Sequence, residues 1–272
     1  MINALIANVN DTNIYYEEKG AGYPLILVHG FGMDNRSWKY QFDYFSQHFR
    51  VIRYDLRGFG KSDVPTNTPY SHHDDLKSLL DYLKITKVHI LGHSMGCRVA
   101  TNFTITYPTY VTSLICADPG LEGESTLNNS STKELFTELN KIWVTGQVSG
   151  LESAKKEFMN FSPLKYAMSN PKISNYIKEM INDYSGWHWI NEDPYLPLKP
   201  ITIECLDKIY NQTLLIIGGK NPFHYQKLSD IMLKKLPNAS KVIIPKTGHM
   251  LQMEDPDKFN AELERFLSTI KY

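Results

Sequence analysis

Val88-His-Ile-Leu-Gly-His-Ser-Met-Gly96 is the stretch from which the chain is best read. An apolar, strand-like run enters Gly92-His93-Ser94-Met95-Gly96, a G-x-S-x-G, and a helix-like segment continues from Ser94 as far as Tyr107. A serine on so tight a strand-to-helix turn is forced into a strained backbone, and bulky residues two positions away would collide. Glycines at 92 and 96 remove those collisions and expose the hydroxyl at the edge of a sheet. The helix that follows points its first amides at the place where negative charge would develop. Ser94 is the candidate nucleophile, and the amide of Met95 is one candidate oxyanion donor.

Outward from this turn, short apolar runs recur at intervals too long for hairpins: Leu25–His29, Arg50–Asp55, Lys87–Leu91, Ser113–Ala117, Thr213–Gly218 and Lys241–Pro245. Their continuous β-branched character predicts strands buried on both faces, as in a parallel sheet covered by helices. Ala4–Asn8 and Asn13–Lys19, joined by Asn10-Asp11, read instead as an edge hairpin. Helices are expected over Ser71–Leu83 and at the end of the chain, where Asp255 caps a helix opened by Pro256. Alternation of strand and helix predicts an α/β fold with a mostly parallel sheet of eight strands. From Leu121 to Pro200 no strand is convincing. Thr132–Trp143, Gly150–Met159 and Lys172–Asp183 look amphipathic, so 121–200 is expected to be a helical insertion over a core made of 1–120 and 201–272.

Two further segments fit acyl chemistry. Leu25-Ile-Leu-Val-His-Gly-Phe-Gly32 ends a strand in a glycine loop whose Phe31 amide is a second candidate donor to an oxyanion. His29 has no ligand-spaced partner and is expected to organise that loop. Pro245-Lys-Thr-Gly-His249 follows the last strand, where a histidine can swing toward Ser94 and accept its proton. His188 and His224 are candidates to line a pocket.

Composition narrows the partners. Among 272 residues, 29 Lys+Arg balance 29 Asp+Glu, and the zero formal charge removes the electrostatic reason to expect nucleic acid. No apolar run approaches the ~20 residues of a membrane helix. The opening Met1–Asn8 lacks a basic leader, and three widely spaced cysteines (Cys97, Cys116, Cys205) suit a reducing compartment. A cytoplasmic protein with no cofactor or metal, acting on a small molecule as a monomer or homodimer, is the expectation.

Taken in order, His29-Gly-Phe-Gly32, Asp55-Leu-Arg-Gly-Phe-Gly-Lys-Ser62, Gly92–Gly96 and Gly248-His249 resemble the α/β-hydrolase fold superfamily. The likeness is to the small hydrolases whose helical cap follows strand six, and it spans the chain outside the cap. It implies Ser94 as nucleophile, His249 as base, and Phe31 and Met95 as oxyanion donors. Asp55, Arg57 and Ser62 match a motif that is mainly architectural.

The chain departs from that pattern at the acid. Similar proteins place an aspartate just after strand seven, where Ile217-Gly-Gly-Lys-Asn-Pro222 has Asn221. An amide cannot supply the charge that stabilises imidazolium, and the corresponding change in a serine-protease triad lowers turnover ~10⁴-fold. Either the acid lies elsewhere, or the chain is a weakened catalyst, or the sequence has been deliberately altered. Asp118, ending Leu114-Ile-Cys-Ala-Asp118, is the available replacement, because some relatives carry their acid after strand six. Its rival reading is a turn former, with Asn221 hydrogen-bonding nearby.

These residues predict a serine hydrolase cleaving a small, largely apolar carboxylic ester. The resemblance implies the alternatives, since similar proteins hydrolyse carbon–carbon bonds of ring-opened diketo acids, make peracids, or act as small-ligand receptors that turn over slowly or not at all. Diketo acids would call for a basic residue such as Arg98. The segment 121–200 contains no arginine, which favours neutral esters, and Arg98 is expected in a structural ion pair. Trp187, His188 and Trp189 are candidates for either pocket wall or cap core.

Overall fold

The computed structural model describes residues 3–127 and 129–271. Asn128, in the triplet Asn128-Asn-Ser130, lies outside the described residues, as do Met1, Ile2 and Tyr272. Eight strands form one sheet: β1 (Asn3–Val9), β2 (Thr12–Lys19), β3 (Pro24–Val28), β4 (Arg50–Tyr54), β5 (Val88–His93), β6 (Val111–Ala117), β7 (Gln212–Gly218) and β8 (Ala239–Ile244). Their spatial order is β1-β2-β4-β3-β5-β6-β7-β8. Only β2 runs against its neighbours β1 and β4, and the remaining pairs are parallel.

Why these runs form buried strands is visible in their two faces. Leu25, Leu27, Val51, Leu91, Ile115, Leu214 and Ile216 join one core with Trp38, Phe42 and Phe259. The alternate residues Ile26, Val28, Ile52, Ile90, Leu114, Leu215 and Ile217 join the other core with Leu76, Leu79 and Phe103. In these central strands period-2 alternation thus feeds two apolar layers. The covering helices are α1 (Lys39–Phe45), α2 (His72–Tyr82), α3 (Met95–Thr106), α9 (Phe223–Lys235), α10 (Leu251–Glu254) and α11 (Pro256–Leu267). Between β6 and β7 lie α4 (Ser130–Ser149), α5 (Leu151–Met159), α6 (Lys165–Met168), α7 (Ser174–Asp183) and α8 (Trp187–Ile190). Local chemistry sets the helix starts: the Ser71, Asn129 and Asp255 side chains accept from the N–H groups of Asp74, Thr132 and Lys258. Among the described residues no helix is long and apolar enough to cross a membrane.

Register delivers the site. Val28 pairs with both Tyr54 and Gly92, and His93 pairs with Ala117. The strand ends that lead into His29, Asp55, Ser94 and Asp118 therefore share one edge of the sheet, the carboxyl edge where open α/β sheets place their ligands.

Candidate active site

Ser94 occupies the turn between β5 and α3 with φ 53° and ψ −118°, outside the conformations that non-glycine residues adopt freely. The flanking glycines are required by contact. A Cβ on Gly92 would stand 2.3 Å from the Gly96 carbonyl oxygen, and one on Gly96 would stand 2.2 Å from that of Val28. The strained turn is held on both sides. Ser94 N–H donates to the Ala117 carbonyl (3.0 Å), and the Ser94 carbonyl accepts from Cys97 and Gly120 (2.9 and 3.1 Å). Its side chain faces a cavity of about 530 Å³.

Phe31 and Met95, whose amides are the candidate oxyanion donors, line the same cavity as Ser94. Met95 is the first residue of α3, where no intrahelical acceptor exists for its N–H. Among the described residues neither Met95 N–H nor Phe31 N–H has a hydrogen-bond partner. The Phe31 loop is braced from below by His29, whose Nε2 accepts from Leu56 N–H (3.0 Å) while Nδ1 donates to the Gly30 carbonyl (2.8 Å). Burial lowers the His29 pKa and keeps the ring in this neutral, bifunctional form. Asp55 ties the next loop by accepting from the N–H groups of Asn35 and Lys61 (2.8 Å each). Arg57 pairs with buried Asp75 at 2.7 Å. His29 and the Asp55 motif are scaffold in this structure.

His249 reaches the cavity from the loop after β8. Glu254 brackets it, accepting from Gly248 N–H (2.6 Å) and Met250 N–H (3.0 Å) on either side. Burial pushes the Glu254 carboxyl up to about 6, against the pull of those two donors. His93 Nε2 donates to the His249 carbonyl at 2.7 Å. Tyr225 lies against the His249 ring, centroids 4.3 Å apart, with its phenol beside the Ser94 hydroxyl. Among the described residues no hydrogen bond joins Ser94 directly to His249, a looseness common in ligand-free sites.

On its far side His249 Nδ1 meets two groups, Asn221 Nδ2 at 3.1 Å and Asp118 Oδ2 at 3.8 Å. Asp118 is fully buried at φ 44°, and its Oδ1 accepts from Gly218 N–H at 3.0 Å. Its Oδ2 has no hydrogen-bond partner among the described residues, and neither has Asn221 Oδ1. Burial raises the Asp118 pKa well above the usual carboxylate range, with the Gly218 N–H and the Asn221 amide opposing it. Burial likewise lowers His249 well below the usual imidazole value, assisted by His93 and His224. Both sequence-derived acid positions therefore converge on one imidazole nitrogen.

The cavity wall is largely apolar, with Phe31, Leu135, Phe158, Trp189 and Met250 prominent, and His188 also lines it. Trp187 lies outside it. His224 does not line it either: buried, it bonds Thr132 Oγ1 (3.0 Å) and Glu124 Oε2 (3.2 Å) and so ties α9 to the segment after β6. The expected structural ion pair of Arg98 is absent among the described residues. The guanidinium lies over the Tyr195 ring, 5.2 Å from its centroid, in the cavity wall. No group of three or more His, Cys, Asp or Glu side chains that could hold a metal ion occurs among the described residues.

Three participants lie beyond what the sequence suggests. Tyr225 carries a signal, because it lies four residues after Asn221 in the loop-to-helix stretch that follows β7. Glu254 carries a fainter one, its spacing of five from His249. The bond from His93 to the His249 carbonyl crosses 156 positions and has no local signature.

A family model described as alpha/beta hydrolase fold matches residues 23–256. The pimeloyl-[acyl-carrier protein] methyl ester esterase of Legionella pneumophila is 26% identical over 94% of this chain and 99% of its own. A 2-hydroxy-6-oxononadienedioate/2-hydroxy-6-oxononatrienedioate hydrolase of Pseudomonas putida is 27% identical over 95% of this chain and 93% of its own. Among solved structures, an esterase from Exiguobacterium antarcticum superposes with a TM-score of 0.80 at 23% identity, covering 98% of this chain and all of that one. With eight strands in the order described and a match over most of its length, the chain belongs to the alpha/beta hydrolase fold family.

Proposed function

We infer that the protein is a serine hydrolase of small carboxylic esters, with Ser94 as nucleophile, His249 as base and Asp118 as acid. Residues 121–200 act as a cap over the core formed by 1–120 and 201–272. The observation that carries this reading is the strained Ser94 turn facing one cavity with His249 and two unpartnered amides. Ser94 Oγ attacks the ester carbonyl carbon while its proton passes to His249 Nε2. The resulting oxyanion accepts from Phe31 and Met95 N–H, donors fixed before reaction begins. Collapse expels the alcohol, which takes the proton back, and water then repeats the sequence on the acyl-enzyme to release the acid.

A base with a free Nε2 must carry its proton on Nδ1, which then needs an acceptor. Two are within reach: Asp118 Oδ2, and the Asn221 amide oxygen if that amide is turned, since amide O and N are assigned from the network. Magnitude separates them. Opposite unit charges 3.8 Å apart attract by about 4 kcal/mol at an effective dielectric of about 20, before the cost of burying them, and a neutral amide offers an imidazolium no such attraction. Once His249 is protonated, only Asp118 offers the stronger attraction, so the charge role goes to Asp118 and a steering role to Asn221.

The reading is tested by turnover of p-nitrophenyl butyrate without added cofactor, measured against pH. The working base is the neutral imidazole, so kcat/KM is lost as pH falls through the His249 pKa. Burial holds that pKa below the ordinary 6.5 but raises the Asp118 carboxyl well above the usual carboxylate range. The acid limb therefore belongs to the pair and is expected to shift in Asp118→Asn. No turnover, or a rate that falls rather than rises from about pH 5 to about pH 8, contradicts the assignment. The name of the Pseudomonas putida relative supports a second reading, in which the same serine acts on a keto diacid. Turnover of such a compound in place of the ester would favour it.

A further inference from the structure

The cavity has one polar end. Arg98, one helical turn beyond Ser94 on α3, lines it together with His72 and His188. Arg98 Nε, His72 Nδ1 and His188 Nε2 are all buried without a hydrogen-bond partner. Three unsatisfied nitrogens on one wall of the cavity are costly unless something fills the gap. The charge there is well defined. Burial, with Arg98 nearby, holds both His72 and His188 in the neutral form, leaving the guanidinium as the permanent cation. Three carboxylates, Glu122, Glu124 and Asp193, also line the cavity, and each has a partner other than Arg98. Glu124 faces His224 at 3.2 Å. Glu122 accepts from Tyr195 O–H and from Leu198 N–H, and Asp193 accepts from Tyr195 N–H at 3.2 Å while facing His188 at 3.7 Å. Among the described residues none of the three lies within 4.0 Å of the guanidinium as an ion pair, although Arg98 attracts the Asp193 carboxylate from farther off.

We propose that Arg98, His72 and His188 form a carboxylate-binding subsite, so that the preferred substrate is a small ester bearing a free carboxylate away from the scissile bond. This rests on the hydrolase reading above and narrows it. A guanidinium presents forked N–H donors that match the two oxygens of a carboxylate, and a neutral imidazole can donate one more. The apolar wall takes the chain between the two ends.

The test compares p-nitrophenyl butyrate with the mono-p-nitrophenyl ester of glutaric acid. Wild type is expected to favour the acid ester in kcat/KM, and Arg98→Gln to cut that preference about tenfold or more, mostly through KM, as loss of a charged hydrogen bond implies. Arg98→Lys is expected to keep part of it, and melting curves of both variants report on folding. In parallel, binding of glutarate to Ser94→Ala is measured by calorimetry with Arg98 present and with Arg98→Gln. Arg98-dependent glutarate binding without turnover of either ester upholds the subsite and overturns the ester reading. Ester turnover with an unchanged preference in Arg98→Gln, and no glutarate binding, overturns the subsite and leaves the reaction standing. Glutarate binding independent of Arg98 also overturns it, as does a lowered melting temperature with unaltered preference, which would place Arg98 in a structural pairing with Asp193.

Discussion

Ser94→Ala is expected to lower kcat/KM for p-nitrophenyl butyrate by about 10⁴-fold or more, to a residue of activity owed to binding and the oxyanion donors. The expectation follows from how the turn is built. Everything that strains the backbone at Ser94, from the glycine contacts at 92 and 96 to the bonds that clamp its N–H and carbonyl, serves to hold one hydroxyl at the cavity. Alanine keeps the turn, the cavity and the Phe31 and Met95 amides but removes the hydroxyl assigned as nucleophile. Because the β-carbon is retained, the melting temperature should move little, which separates lost chemistry from lost fold. A variant that keeps its rate would place the nucleophile elsewhere.

Asp118→Asn carries the second large effect, a fall in kcat of about 10³- to 10⁴-fold, by analogy with amide replacement of a triad carboxylate. The substitution is close to isosteric, and its Oδ1 can still accept from Gly218 N–H, so the β6 end keeps its shape. What disappears is the charge facing His249 Nδ1 as that ring becomes imidazolium. Asn221→Ala is expected to cost about tenfold at most, the scale of one neutral hydrogen bond. The ordering of the two variants is the decisive quantity. If Asn221→Ala costs more than Asp118→Asn, Asn221 orients the base unaided and Asp118 is a turn residue.

Much of this architecture is legible in the sequence because its signals are local. Continuous apolar runs mark the central strands. Asn10-Asp11, with φ of 49° and 55°, closes the edge hairpin as such a pair should. Capping residues set the starts of α2 and α11. Helices α1 and α9 are hard to read for a physical reason. Lys39–Phe45 is short and crowded with aromatics, and Phe223–Lys235 opens without a side-chain cap, so neither shows the usual start signal. The site divides in the same way. Ser94, His249 and the oxyanion loop announce themselves by glycine spacing. That Asp118 and Asn221 meet at one nitrogen depends on the pairing of β6 with β7 and on two loop conformations, which no local pattern encodes. Arg98 misleads because its charge implies a protein partner; in the structure it lines the cavity instead, where the partner is open to be a ligand.

Covalent trapping tests the assignment of Ser94 most directly. The native chain is treated with an alkyl fluorophosphonate, digested, and read by mass spectrometry. One adduct per chain is expected, on Ser94, formed slowly in Asp118→Asn and absent in Ser94→Ala. An unlabelled native chain, or an adduct carried by another residue, contradicts the assignment.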